Sequence, residues 1–191
     1  RTMAGAYIRG VGLVSALGLD AVSAVSALQE RAARPSVARL DGLAEALALN
    51  YYRIPDGAEM FDPQRLKRLL PQVVRAATES LSEAERRVLP VFVGSSCFSV
   101  SLAEAEYAAA LADATAAVPM PRCDYDYPAK LACAALRSGG ETWAYNTACS
   151  SSANALLGAL RLLETGVYRH ALVLGVEYAN RTSLAGFSAL Q

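Results

Sequence analysis

Apolar positions along this chain switch repeatedly between a two-residue and a 3.6-residue period. Tyr7 to Ser15 (YIRGVGLVS) alternates and is β-branched, which predicts a strand whose glycines mark a close backbone approach. Asp20 is placed to cap a helix running to about Arg31. Residues 32–60 are mixed, broken by Pro35, Pro55 and Gly57, with a short strand at Tyr51-Tyr52. Asp62-Pro63 reads as a helix start, a carboxylate at the N-cap and proline at the first helical position. Leu66, Leu69, Leu70, Val73, Val74 and Ala77 then form one apolar helical face up to about Thr78.

Val88 to Gly94 (VLPVFVG) is almost wholly apolar and predicts a buried strand. Leu102 to Ala117 is alanine-rich and helical. Residues 124–128 (DYDYP) form a loop into a helix ending near Ser138. Glu141 to Thr147 (ETWAYNT) and Ala171 to Gly175 (ALVLG) are further strands, and Ser151 to Thr165 is a helix stopped by Gly166. Strands that read as buried on both faces, alternating with helices, indicate an α/β fold with a mixed, mostly parallel five-stranded sheet. Residues 1–191 show no linker or repeat and are expected to form a single domain. The 151–165 helix is apolar nearly all round, so it is expected in the middle of a structure, between two layers.

Composition narrows the function classes. With 53% hydrophobic and 19% charged residues the chain folds rather than remaining disordered. Its net charge of 0 supplies no general field for nucleic acid or an anionic membrane. No apolar run reaches the ~20 residues that span a bilayer, and no signal-peptide core is present. The four cysteines (Cys97, Cys123, Cys133, Cys149) include no C-x-x-C pair, so no metal site is expected and reduced thiols in a cytoplasmic protein are the simplest reading. Arg65, Lys67, Arg68 and Arg75 resemble a basic patch, either a solvated face or a docking edge for an acidic carrier protein. A single histidine, His170, cannot supply a two-histidine acid–base pair. It stands at a strand entry, and a helix of ~15 residues running away from Cys149 would separate the two by roughly 20 Å, so its expected role is structural.

Tyr145-Asn146-Thr147-Ala148-Cys149-Ser150-Ser151-Ser152 carries the candidate chemistry. A strand ends, a cysteine sits at the turn, and a helix begins at once. The first N–H groups of a helix are unpaired and its dipole is positive there, which favours a thiolate nucleophile. The N–H of Cys149 is placed to help form an oxyanion hole, and the serines are expected to cap the helix. A buried structural cysteine in a small-residue turn is the other reading of the same pattern.

Asn146 to Ser152, followed by Ala153-Asn154-Ala155-Leu156, resembles the nucleophile signature of β-ketoacyl synthases, and most closely that of the ketosynthase I/II and polyketide branch. Gly175-Val176-Glu177, Gly186-Phe187, the opening Ile8 to Gly18 and Val91 to Ser96 are similar to other family segments in the same order. The resemblance implies a thiolase-like fold, here the amino-terminal half of an αβαβα sandwich. It implies that Cys149 accepts an acyl group from an acyl carrier protein or coenzyme A thioester for decarboxylative condensation with a malonyl thioester, in fatty-acid or polyketide assembly. Thr147, Ala148, Ser150 and Phe187 would line the substrate site, with no cofactor. A homodimer or a ketosynthase partner would pair through the strand Glu141 to Thr147. The family's two acid–base histidines belong to a carboxy-terminal half that is absent here. The chain therefore reads as an incomplete acyltransferase, or as a short homologue that binds an acyl chain, a carrier protein or another ketosynthase. Chain length factors are a catalytically dead relative type, but they lack the cysteine that this chain retains.

Overall fold

The computed structural model describes residues 5–40, 47–113, 115 and 124–190. Cys123 and the far end of the helix expected up to Ala117 lie outside them. The chain divides into two compact units.

The first unit holds residues up to Gly12, Leu66–Ser99 and the stretch to Glu177. Its centre is a three-stranded parallel sheet in the order β4-β3-β5, formed by β3 (Val91–Gly94), β4 (Thr142–Tyr145) and β5 (Leu172–Gly175). Gly94 stands level with Tyr145 on one side and Gly175 on the other, so all three strands end together. β3 is buried throughout. Phe92 stacks on Trp143 with ring centres 4.5 Å apart, and Ala155 and Ala159 pack over it. Helix α6 (Ser151–Glu164) covers this face, and α5 (Tyr127–Leu136) also lies against β3. α2 (Arg65–Ala77, from Leu66 on) and the short α3 (Glu83–Arg87) complete the unit.

The second unit contains α1 (Ala21–Gln29), the antiparallel hairpin β1 (Ser36–Leu40) and β2 (Leu47–Tyr51), α4 (Val100–Ala112) and α7 (Arg181–Ala189). Asp20 caps α1 as expected, accepting from the Ser23 N–H at 2.8 Å. Ala38, Leu40, Met60 and Ala179 form a small core with Phe61 and Leu184. Glu104 accepts from the N–H groups of Arg181 and Thr182 and so closes the start of α7.

The α/β class with a mostly parallel strand set holds, but among the described residues the five strands fall into two sheets, three parallel and two antiparallel. The difference arises at both ends of the sequence pattern. Tyr7 to Val14 joins no ladder, and Ser15 makes only an isolated bridge to Gly18. Its glycines meet a helix rather than a strand: a Cβ on Gly12 would fall 1.9 Å from the Val73 carbonyl oxygen of α2. Tyr7 is left 88% exposed. The mixed stretch 32–60, in turn, supplies two strands in place of one.

Three further expectations change. β4 is not buried on both faces, since Thr142 and Ala144 are exposed while Trp143 and Tyr145 point inward. α6 is not enclosed between two layers in this chain. Ser151, Ala155 and Ala159 make one buried stripe four residues apart, and Leu156 is 56% exposed. Arg65 does not belong to a surface patch. It is 3% exposed, pairs with Asp56 at 2.9 Å, and donates to the carbonyls of Ala58, Glu59 and Met60. Lys67, Arg68 and Arg75 remain exposed. The assigned helix begins at Arg65 because Asp62 first turns the chain, accepting from the Gln64 N–H through its side chain and the Arg65 N–H through its carbonyl.

Candidate functional site

The shared end of the three parallel strands positions the candidate nucleophile. Ligands in open parallel sheets gather outside the carboxyl ends of the strands, and the chain leaves β4 there for Cys149. Between them, Ala148 adopts φ +51°, a left-handed conformation that costs an L-residue about 1–2 kcal/mol. A 3₁₀ turn, Ala148–Ser150, follows and runs directly into α6. Cys149 thus sits at a sharp strand-to-helix elbow as an exposed free thiol.

Two glycines make the floor under this elbow. A Cβ on Gly94 would lie 2.4 Å from the Ser151 carbonyl, and one on Gly175 would lie 2.7 Å from Ser152 Oγ. α6 therefore starts hard against the ends of β3 and β5. The repeated pattern of an apolar run closed by glycine, in VFVG and LVLG, was the available sequence signal for this floor.

The serines do not cap the helix as expected. No side chain caps α6, and the hydroxyls bond backward to the strand exit instead. Ser150 Oγ donates to the Thr147 carbonyl at 2.8 Å. Ser151 Oγ accepts from the Thr147 N–H at 2.9 Å and donates to the Ala148 carbonyl at 2.7 Å. Asn154, present in the signature but given no role by it, donates to Thr147 Oγ1 at 2.8 Å and Ser150 Oγ at 3.3 Å. Thr147, Ala148 and Ser150 are thereby brought together around Cys149. Phe187 belongs to the second unit, on α7, and is 65% exposed.

The remaining thiols have other surroundings. Cys97 is buried after β3, with its Sγ donating to Glu177 Oε2 at 2.9 Å. The Ser96 N–H donates to the other oxygen of Glu177, so this carboxylate ties the β5 exit to the β3 exit. Partial burial pushes the Cys133 thiol up from its ordinary value. His170 pairs through Nε2 with Glu85 Oε1 at 3.0 Å. Glu85 is held down to about 2, first by the Ser82 N–H, then by the Ser82 hydroxyl, with His170 adding to it. Among the described residues, no group of His, Cys, Asp and Glu side chains is placed to hold a metal ion, and no helix is long and apolar enough to cross a membrane.

Residues 22–191 match the family described as beta-ketoacyl synthase, N-terminal domain. The chain belongs to the β-ketoacyl synthase family. It is thus a domain of the condensing-enzyme kind. Solved ketosynthases share its fold. A ketosynthase in complex with its chain length factor from Xenorhabdus doucetiae superimposes with a TM-score of 0.70 at 22% identity, over 96% of this chain and 50% of that one. A beta-ketoacyl synthase from Burkholderia phymatum gives 0.63 at 20% identity, over 96% and 49%. The ishigamide ketosynthase/chain length factor gives 0.67 at 17% identity, over 96% and 50%. The chain spans about half the length of these ketosynthases. Among curated proteins, none matches it.

Proposed function

We propose that Cys149 is the acyl acceptor of a ketosynthase active site. One observation carries the reading. An exposed thiol stands on a strained elbow at the common end of three parallel strands, with an uncapped helix start beside it. The Cys149 thiolate attacks the carbonyl carbon of an acyl thioester, and the Cys149 N–H supports the resulting oxyanion. The new carbon–sulfur bond forms, the carrier thiolate leaves, and it takes up the proton that Cys149 gave up. Acyl carrier protein or coenzyme A supplies this thioester. In the second stage a malonyl thioester loses carbon dioxide and its enolate carbon attacks the acyl carbonyl. Cys149 thiolate departs, and the product is a β-ketoacyl thioester two carbons longer.

The second stage needs acid–base groups beyond this chain's own. His170 is its single histidine and is engaged by Glu85. Condensation is therefore assigned to an assembly with a further half or a ketosynthase partner. The open side of α6, with Leu156 and Leu157 exposed, supports such a cover. The edge strand β4 is the pairing surface in this reading, and the ketosynthase–chain length factor complexes among the structural neighbours motivate it. Acyl capture without condensation is the second reading, favoured by the engagement of His170.

The test is peptide mass mapping after incubation with an acyl thioester. The adduct is expected on Cys149 and absent in Cys149→Ser. Cys133 should react slowly, because its partial burial raises the thiol pKa and limits access. No adduct on Cys149 would sink the nucleophile assignment. An adduct without carbon dioxide release from malonyl thioester selects acyl capture alone.

A further inference from the structure

The left-handed conformation of Ala148 is unfavourable in isolation and persists only where its surroundings hold it. Two sets of hydrogen bonds reach this turn. Those from Asn154 and Ser150 lie on the exposed side, where water competes for the same groups. The third hydroxyl is different. Ser151 is 2% exposed and backed by Gly94, and its single oxygen is bonded on both sides of the strained residue. One hydroxyl thus bridges the Thr147 N–H and the carbonyl of Ala148 itself, spanning the pair Thr147-Ala148, and its donor and acceptor capacities are both used.

We infer that Ser151 is a positioning residue for Cys149: its buried hydroxyl holds the strained turn that aims the thiol and its N–H at an incoming acyl carbonyl. The inference rests on the reading of Cys149 as acyl acceptor. It assigns Ser151 no contact with substrate. Removing the hydroxyl leaves the Thr147 N–H and the Ala148 carbonyl without their shared partner, and Ala148 then relaxes toward an ordinary backbone conformation. Simple alkylation of the thiol needs no oxyanion hole, so it should be far less sensitive to this relaxation than acyl transfer.

The experiment uses the full chain with three readouts: acylation of Cys149 by an acyl thioester, its alkylation by iodoacetamide, and site-resolved amide hydrogen exchange. Ser151→Ala should slow acylation about tenfold, the equivalent of one net hydrogen bond, with alkylation changed by less than about threefold. The Thr147 amide should exchange about tenfold faster, while the amides of Val91 to Gly94 keep their protection. Adding Ala148→Gly to Ser151→Ala should restore most of the acylation rate, because glycine takes φ +51° without the Cβ penalty. A purely structural serine would lower the melting temperature and leave both rates of the folded protein unchanged. Unchanged acylation in Ser151→Ala, or no recovery on adding Ala148→Gly, overturns the inference. If the parent protein takes no acyl group, the proposed function fails and amide exchange alone decides this inference, with equal Thr147 protection in parent and variant overturning it. If Ser151→Ala does not fold, the parent decides: free exchange at Thr147 overturns the inference, and slow exchange supports it.

Discussion

Gly94→Ala is the sharpest test of how the elbow is seated. The added methyl would lie 2.4 Å from the carbonyl carbon and oxygen of Ser151 and 2.5 Å from the Ser152 nitrogen. Non-bonded carbon contacts settle at about 3.5–4.0 Å, so one side must retreat by about 1 Å. β3 cannot do so easily. Its residues are fully buried, and Gly94 is held in a parallel ladder on both sides. The first turn of α6 moves instead, and Cys149 moves with it. Overpacking of this kind costs about 1–3 kcal/mol, which for a chain of this size lowers Tm by about 2–4 °C per kcal/mol. A 1 Å displacement of a reacting group can slow its chemistry by about 100-fold. Urea unfolding can be followed by the fluorescence of Trp143, the single tryptophan, stacked on Phe92 in the same sheet. Gly166→Ala is the control. Its φ of +76° costs about 1–2 kcal/mol on its own, yet no atom lies within 4 Å of the new methyl. That variant should lose stability and keep the acylation rate. If Gly94→Ala unfolds within about 0.5 kcal/mol of the parent and acylates at the parental rate, α6 is not seated on Gly94 and the reasoning is refuted.

Two further outcomes test the supports. Arg65→Ala removes a guanidinium that binds Asp56 and three backbone carbonyls from a buried position, and denaturant unfolding should show a loss of about 3–5 kcal/mol. Arg65→Lys should not recover it, because one ammonium cannot reproduce the fork, and full recovery would contradict the network. Glu85 has a folded pKa of about 2 against 4.5 for the free side chain, so its contribution is fully present above pH 4.5 and is lost as pH falls toward 2. The denaturation midpoint should decline across that window in the parent and decline less in Glu85→Gln; equal slopes would remove Glu85 from the acid response.

Much of the site was legible because it is local. A strand, a cysteine and a helix start are contiguous from Thr142 to Glu164, and contiguity fixes their order in space. Asp20 at its helix start and Gly166 at its helix stop were likewise readable, since caps act over a few residues. The short helix α3 carries a capping box, Ser82 with Glu85, whose S-x-x-E spacing is equally local. Arg65 was misread because a charged residue beside Lys67 and Arg68 looks solvated until Asp56 closes on it from another part of the chain. The opening strand failed for a similar reason: Gly10 and Gly12 do mark a close backbone approach, but the backbone they meet is that of a helix distant in the chain.

By itself, then, the sequence determined the α/β class, the central buried strand, the family resemblance and the position of the candidate cysteine. These follow from periodicity and from residues adjacent along the chain. The tertiary structure alone decided that the strands divide three and two, that α6 buries only one stripe, and that the serines bond back to the strand exit. It alone also showed Gly94 and Gly175 forming the floor beneath Cys149. Each of these depends on atoms many residues apart meeting at van der Waals or hydrogen-bond distance, and no period along a single chain encodes which segment will arrive there.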